Sequence, residues 1–405
     1  MIVSDHYHLS YCTNIHPGET WPEVFDSLKA HLPQIKQNIS PDNPFGIGLR
    51  LSDLASRQLL EDHHLASFKD WLEVMDCYVY TMNGFPFGGF HRQVVKDDVH
   101  KPDWTTRSRV DYTKRLFTIL AELLPKGIDG GISTSPLSYK HWFSDDPKEL
   151  DDVFEVSTRH LVEIAAFLNE IKKQKGVSMH LDIEPEPDGL IENSQEVIDY
   201  YSKWLIPFAM DHLAKDLNVA PDKAIEIVRE HIQVCYDVCH FAVGYEEPSV
   251  VFDQFREHNI KIGKIQISAA LKADLPKDVI ARQPIEEAFA AFNESTYLHQ
   301  VIAREENGGY TQYNDLPRAL ENINNHSTLE WRTHFHVPIF VEAYGYLKAT
   351  QEDIRKVLEL LKQMQVTNHL EVETYTWEVL PEDLRTDLST SIQREVQWVL
   401  NEMNG

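Results

Sequence analysis

The sequence is poor in cysteine, in basic residues and in long apolar runs, and each shortage excludes a class of protein. Its four cysteines (Cys12, Cys77, Cys235 and Cys239) are too few for a disulfide scaffold, and we expect buried free thiols of a cytoplasmic protein. No run of about 18 apolar residues is present and the first residues lack a signal-peptide pattern, which predicts no membrane insertion. Lys and Arg number 38 against 64 Asp and Glu, a formal net charge of -26 that disfavours nucleic-acid binding.

The chain does contain a regular alternation of short β-rich runs and longer helical stretches, typical of parallel βα units. The predicted strands cover residues 6–13, 45–51, 77–82, 130–135, 177–184, 232–237, 264–268 and 369–375. Eight such units close into a (β/α)8 TIM barrel with the helices outside, because the crossovers are right-handed. We therefore predict an α/β fold in which residues 1–405 form a single barrel domain.

One stretch departs from this repeat between the seventh and eighth predicted strands. It contains a predicted helix at 277–292, a hairpin at 297–312 and a strand-like run at 332–341. We interpret it as an elaborated loop after strand seven, with an insertion at about 270–330. The alternative, in which 332–341 is itself a barrel strand, stays open.

Carboxylates gather at the end of strand five, where active sites of such barrels form. Asp182, Glu184 and Glu186 alternate along the chain, so an extended strand would turn them to one side. Such a group is costly to bury unless a cation or hydrogen bonds offset the charge. We predict Glu184 as a site residue, whereas Glu186 also fits a solvated loop that begins at Pro185.

Strands six and eight end in further ionisable residues. Asp237 and His240, three residues apart, can point at one ion or one polyol; alternatively, Asp237 caps the next helix and His240 packs in the turn. Glu371 and Glu373 lie in a strand that should be apolar throughout. We predict Glu373 as the site residue and expect Glu371 to pair with a Lys or Arg deeper in the barrel.

Other polar residues recur at matching strand ends and predict a pocket with many hydroxyl-binding groups. His334 and His336 form a His-x-His pair, a pattern that often binds metal. The remaining candidates are Asn14, His16, Asn83, His91, Ser133, Gln266 and Ser268.

The arrangement of Glu184, Asp237-x-x-His240 and Glu373 resembles the xylose isomerase-like barrel superfamily, which includes sugar isomerases, ketose 3-epimerases and endonuclease IV. More narrowly, residues 11–21, 181–187 and 333–339 resemble the EboE-type metabolite traffic proteins of bacterial ebo gene clusters. The narrower resemblance implies the handling of a precursor molecule bound for the periplasm.

The superfamily resemblance also implies a ligand set for one divalent ion, namely Glu184, Asp237 and Glu373. The two glutamates would move protons next to a substrate carbonyl, and His240 would bind substrate. The chain departs from the pattern at strand seven, where Gln266 stands in place of the usual histidine. A glutamine offers only a neutral oxygen ligand.

His334 and His336 match an Asp-x-His pair that binds a further metal in endonuclease IV. The histidine that this enzyme carries after strand four is missing here, where Ser133 and its neighbours stand instead.

Three functions follow as hypotheses. The leading one is a sugar or sugar-phosphate isomerase or epimerase that uses Mn2+, Zn2+, Co2+ or Mg2+. The alternatives are an endonuclease IV-like metal-dependent phosphodiesterase and a noncatalytic carrier of a small molecule. We expect a polyol, sugar or sugar-phosphate ligand; assembly into a homo-oligomer stays open.

Overall fold

Eight parallel strands, one for each strand predicted from the sequence, form a barrel in the computed structural model, which describes residues 1–4, 6–91, 94–144, 146–378, 380 and 387–404. In chain order, strands one to eight are Tyr7–Tyr11, Phe45–Arg50, Cys77–Asn83, Gly130–Thr134, Met179–Ile183, Ile232–Asp237, Ile262–Ile267 and His369–Val372. Each strand from two to seven pairs in parallel with the next, and strand eight pairs in parallel with strand one. A parallel bridge between Cys12 and Gly48 joins strand one to strand two, so the predicted TIM barrel is confirmed.

Helices cover the outside of the barrel. They span Trp21–Ile39, Asp53–Leu59, His64–Val74, Arg107–Leu123, Pro147–Lys175, Ser194–Tyr200, Ile206–Phe208, Ala214–Asp216, Pro221–His231, Val238–Val243, Pro248–Glu257, Gln351–Gln363 and Leu388–Asn404. The first of them begins at a capping box, in which Thr20 and Glu23 satisfy each other's backbone N–H groups. Among the described residues, no helix is long and apolar enough to cross a membrane.

The insertion between strands seven and eight forms a second, antiparallel sheet. Its six strands, in spatial order, are Tyr310–Tyr313, Val301–Glu305, Thr328–Thr333, Leu271–Asp274, Leu347–Ala349 and Ala343–Tyr344, and helices Gln283–Ala290 and Leu316–Leu320 accompany it. The first two strands form the predicted hairpin.

The alternative in which 332–341 is a barrel strand is wrong, because Thr328–Thr333 belongs to the second sheet. Residues 334–341 run instead to the end of strand seven, where Val337 N donates to Ala269 O at 3.0 Å.

A buried ion pair occupies the barrel interior. Lys264 Nζ on strand seven lies 2.7 Å from Glu371 Oε2 on strand eight, and both side chains are fully buried. A Cβ atom at Gly48 would stand 1.6 Å from Glu371 Oε1, so only glycine leaves room for this carboxylate. The expected pairing of Glu371 with a deeper cation is confirmed, and Glu371 serves the barrel interior.

Candidate functional site

A cavity opens at the C-terminal ends of the barrel strands. Its ionisable lining residues are Lys96, His100, Glu184, Glu186, His240, His334, His336 and Glu373. Asn14, Asn83 and Gln300 add amide groups, and Phe85, Phe90, Tyr297 and Tyr375 add aromatic rings. A concave site with several convergent polar groups and apolar walls is typical of small-molecule binding.

Three carboxylates from strands five, six and eight meet beside the cavity, and two of them, Glu184 and Glu373, line it. One oxygen each from Glu184, Asp237 and Glu373 lies within 4.8 Å of the others, and all three side chains are buried. Burial, and next the neighbouring carboxylates, raise the pKa values of Glu184 and Glu373 well above the ordinary value. Burial opposes the charge of Asp237 too, but His240 and His336 outweigh it and lower the pKa of that carboxyl. Three acids this close are stable as anions only with a cation among them.

Asp237 combines a structural and a ligand-type position. Its Oδ1 accepts hydrogen bonds from His240 N at 3.2 Å and from Ser268 Oγ at 2.7 Å, so the helix-capping role considered as an alternative is present. Its Oδ2 lies 3.9 Å from His336 Nε2 and has no hydrogen-bond partner in the part of the chain that the structure describes. One oxygen orients Asp237, and the other is available to a ligand.

Glu373 is held by two of the predicted asparagines. Asn14 Nδ2 and Asn83 Nδ2 each donate to Glu373 Oε1 at 2.7 Å. These amides stabilise the charged form of the carboxylate and fix its orientation. The second oxygen, Oε2, lies 4.0 Å from His336 Nδ1, on the side of the histidines.

His240 and His334 face each other through their Nε2 atoms, which are 3.1 Å apart. His240 Nδ1 lies 3.0 Å from Pro185 O, a carbonyl that can only accept, so Nδ1 carries the proton. His334 Nδ1 lies 2.8 Å from Gln300 Oε1, and Gln300 donates its own amide to Pro187 O. With both Nδ1 atoms protonated, a neutral His240 and a neutral His334 point two lone pairs at each other.

His336 completes this histidine cluster. Its Nδ1 donates to the backbone oxygen of Glu373 at 3.1 Å, which leaves the Nε2 lone pair directed at His240 Nε2, 3.5 Å away. Burial, which outweighs the nearby Asp237 carboxylate, lowers the pKa of His336 to about 4. Burial and the neighbouring histidines also lower the pKa of His334 well below the ordinary value.

The histidine cluster fits a metal ion. Two nitrogens bound to one ion at about 2.0–2.1 Å stand roughly 3.0–3.4 Å apart at octahedral to tetrahedral angles, close to the separations found here. An ion could be held by Glu186, His240 and His334, or by Asp237, His240 and His336, because the ligand atoms of each group lie within 4.8 Å of one another. Glu186 offers a carboxylate oxygen within 4.8 Å of the ligand nitrogens of His240 and His334.

Several predicted site residues lie outside the cavity lining. Gln266 Oε1 accepts from Cys235 Sγ at 2.9 Å, and Ser133 is buried in strand four. His16 Nε2 is bonded to Tyr11 OH at 2.9 Å, away from the carboxylates. His91 Nε2 lies 2.6 Å from Asn14 O, and Ser268 Oγ donates to Asp237 Oδ1. His91 and Ser268 therefore help to hold Asn14 and Asp237 in position.

The lining residues that the sequence analysis missed include Glu186, His100 and Gln300. Glu186, which also fitted a solvated loop, is 6% exposed and lies 2.9 Å from His100 Nε2. Gln300, from the insertion, links His334 to the strand-five loop through Pro187. The alternation of carboxylates from Asp182 to Glu186 could have indicated Glu186 from the sequence. No motif or spacing in the sequence indicates His100 or Gln300.

Comparison with known proteins gives the fold and little else. No protein-family model matches the sequence, and a search of curated proteins finds no match. A solved xylose isomerase-like TIM-barrel protein from Mycobacterium smegmatis, in complex with magnesium, aligns over 100% of this chain and 98% of its own, with 10% identity and a TM-score of 0.50. The chain therefore has a xylose isomerase-like TIM-barrel fold.

Two further solved structures are similar. The IolI protein with a bound zinc atom aligns over 98% of both chains, with 11% identity and a TM-score of 0.48. D-psicose 3-epimerase, solved in the presence of D-fructose, aligns over 98% of this chain and 100% of its own, with 10% identity and a TM-score of 0.47.

Proposed function

We propose that this protein is a divalent-metal-dependent isomerase or epimerase that acts on a sugar, a sugar phosphate or a similar polyol. The observation that carries the proposal is the meeting of Glu184, Asp237 and Glu373, with oxygens within 4.8 Å of one another, beside a cavity that Glu184 and Glu373 line. Proton transfer at a carbon next to a carbonyl is promoted by a general acid and a general base beside a metal ion, and two carboxylates can serve as that acid and base.

The ligands of the ion are proposed in two adjoining groups. Glu184, Asp237 and Glu373 supply oxygens, which suit Mg2+ or Mn2+. His240 and His334, with Glu186, supply mainly nitrogens, which suit Zn2+ or Co2+. The magnesium in the similar Mycobacterium smegmatis barrel supports a divalent ion here as well.

We propose that His336 takes the place of the histidine that related barrels have at strand seven, where this chain has Gln266. The backbone bond from Val337 N to Ala269 O places the His334–Val337 segment against the end of strand seven. His336 Nε2 thereby comes to 3.9 Å from Asp237 Oδ2, on the same side as the carboxylate group. The insertion thus supplies a nitrogen ligand near strand seven, where the strand itself offers only the side-chain amide of Gln266.

Glu184 and Glu373 are proposed as the acid and base. Their raised pKa values allow one to be protonated while the other is charged near neutral pH. The asparagine bonds to Glu373 favour its charged form, which makes Glu373 the better base and Glu184 the better acid. A bound divalent ion would polarise the substrate carbonyl and so lower the cost of removing the adjacent proton.

The test begins with the metal content of purified protein, measured by elemental analysis beside Asp237→Ala and Glu373→Ala. Metal that is present in the wild type and reduced in both variants supports the site, and ketoses and their phosphates are then screened. On an identified substrate, Glu184→Gln and Glu373→Gln should abolish turnover and leave the circular dichroism spectrum unchanged. Full activity in both glutamine variants would overturn the mechanism.

An endonuclease IV-like phosphodiesterase is the second candidate, favoured by the two adjoining ligand groups, since paired ions suit phosphoryl chemistry. The net charge of -26 opposes it. Cleavage of an abasic-site duplex with Zn2+ or Mn2+ would select this candidate over the isomerase. Retention of a small molecule on purification, without turnover, would select a carrier.

The resemblance to EboE-type metabolite traffic proteins adds a narrower proposal, that the ligand is a precursor on its way to export. It is supported by the motifs at 181–187 and 333–339, which both contribute residues to the cavity. A cytoplasmic location is proposed as well, since Cys12, Cys77, Cys235 and Cys239 are free thiols and buried.

A further inference from the structure

A second cluster of ionisable side chains lies at the opposite, N-terminal end of the barrel. Asp129 immediately precedes strand four, His180 is the second residue of strand five, and His369 is the first of strand eight. Asp129 Oδ1 lies 3.3 Å from His369 Nε2, and Asp129 Oδ2 lies 3.7 Å from His180 Nε2. Both histidines are buried, whereas the Asp129 side chain is 39% exposed.

The His180 ring is oriented by a carboxylate behind it. His180 Nδ1 donates to Asp182 Oδ1 at 2.7 Å, so Nε2 is the nitrogen that faces Asp129. A histidine whose far nitrogen is bonded to a carboxylate is the usual arrangement around protein-bound metal ions.

Two glycines make room for this pair. A Cβ atom at Gly131 would stand 2.5 Å from His180 Cε1, and one at Gly263 would stand 1.9 Å from Asp182 Oδ1. Barrel interiors are normally filled with bulky branched side chains. Here, two positions that point inward are reduced to glycine around a polar pair, which is costly to bury without a partner for its charge.

The cluster requires a positive charge. Asp182 Oδ2 is buried and meets no hydrogen-bond partner among the residues that the structure describes. Burial opposes protonation of His180, but the carboxylates of Asp182 and Asp129 outweigh burial and raise the pKa of His180 to about 9. The carboxylates of Asp182 and Asp129 therefore favour a positive charge beside them.

Solvent reaches the cluster from one side. Asp129 and His180 line an open cavity of about 530 Å³, together with Gln233 and Asn368. Water from this cavity can occupy the coordination positions that the protein leaves open around an ion.

We propose that Asp129, His180 and His369 form a second metal site, separate from the candidate active site, for a divalent transition-metal ion such as Zn2+ or Co2+. Two imidazoles and one carboxylate favour such ions over Mg2+ and Ca2+. Ligand atoms at about 2.0–2.1 Å from a tetrahedral ion stand roughly 3.3–3.4 Å apart, near the two separations found here. The ion would tie the start of strand four to strands five and eight.

The test measures bound Co2+ by equilibrium dialysis and elemental analysis. In Asp129→Asn and His369→Gln, the stoichiometry should fall by about one ion per chain relative to wild type, while the exposed control Asp152→Asn keeps the wild-type value. Asp129 is partly exposed, so its asparagine variant should fold, which circular dichroism checks.

Two further measurements separate this site from the proposed active site. In Asp237→Ala, which damages only the C-terminal site, an ion should remain that is lost when Asp129→Asn is added. Calorimetric titration of Asp237→Ala with Co2+ should show one binding event, which Asp129→Asn removes. Wild-type stoichiometry in Asp129→Asn, or complete loss of Co2+ in Asp237→Ala alone, would overturn the proposal.

Discussion

The Nε2 atoms of His240 and His334 stand 3.1 Å apart, although the Nδ1 atom of each ring is already bonded to an oxygen acceptor. Two neutral rings in this arrangement repel each other through their lone pairs, and a cation between them turns the repulsion into shared coordination. We therefore predict that His334→Ala and His240→Ala each bind less Zn2+, with affinity reduced on the order of 100-fold or more for loss of one ligand. Competition with a chromogenic chelator measures the affinity.

His258→Ala is the matched control, because His258 is exposed at the end of helix Pro248–Glu257. Its Zn2+ affinity should equal that of the wild type. If the cavity variants bind Zn2+ as tightly as this control, His240 and His334 are not ligands of the ion.

Removal of one asparagine from Glu373 should weaken metal binding without removal of a ligand. Asn83→Ala takes away one of the two donors to Glu373 Oε1, so the carboxylate becomes less well oriented and harder to ionise. We expect Mn2+ affinity to fall by about 10- to 100-fold, the usual loss for a residue that orients a ligand. Asn259→Ala, on the exposed turn before strand seven, is the control. Equal affinities in the two variants would show that Glu373 does not bind the ion.

The Lys264–Glu371 pair predicts an asymmetry between single and double substitutions. Lys264→Met leaves the Glu371 carboxylate unpaired in a fully buried position and should destabilise the fold by about 3–5 kcal/mol. Lys264→Met combined with Glu371→Leu removes both charges and should recover most of that loss. Urea unfolding of metal-free protein measures both. A double variant no more stable than the single one would show that the pair itself stabilises the barrel.

The barrel was predictable from the sequence because each strand is a short local pattern between helices. The eight predicted runs correspond to the eight barrel strands, and the ends of strands five, six and eight place Glu184, Asp237 and Glu373 together. Parallel strands of a barrel all end on one face, so local position was enough to bring these three residues into one site.

What the sequence did not reveal depends on contacts between distant segments. His336 reaches the carboxylates because the insertion folds back onto the end of strand seven, a contact made by residues 269 and 337. Gln300, which orients His334, comes from the same insertion. Neither contact has a periodicity or spacing that a linear pattern could show, and the same holds for the space that Gly263 leaves for Asp182.

Glu395 gives a prediction on pH dependence. This residue of the C-terminal helix is fully buried, and its Oε1 accepts hydrogen bonds from Thr374 Oγ1 at 2.7 Å and from Ile339 N at 3.2 Å. Burial raises the pKa of Glu395 from 4.5 to about 8 despite these two bonds. The folded protein thus keeps a proton that the unfolded chain releases above its ordinary pKa.

The stability that depends on this proton is fully present below pH 4.5 and is lost as the pH rises toward 8. In Glu395→Gln, the amide oxygen keeps both bonds and nothing titrates. The variant should therefore match the wild type near pH 4.5 and exceed it at pH 8 by on the order of a few kcal/mol in the free energy of unfolding.

The measurement is urea unfolding of both proteins from pH 4.5 to 9, with the exposed residue substitution Glu257→Gln as control. The control should follow the wild type at every pH, because this substitution leaves Glu395 and its two hydrogen bonds in place. A constant difference between Glu395→Gln and wild type would mean that Glu395 is ionised throughout. Glu395 contacts Thr374, which adjoins Glu373, and Ile339, which follows the His334–Val337 segment. Ionisation of Glu395 should therefore also weaken the packing of the cavity wall. As a result, metal affinity above pH 8 should fall less in Glu395→Gln than in wild type.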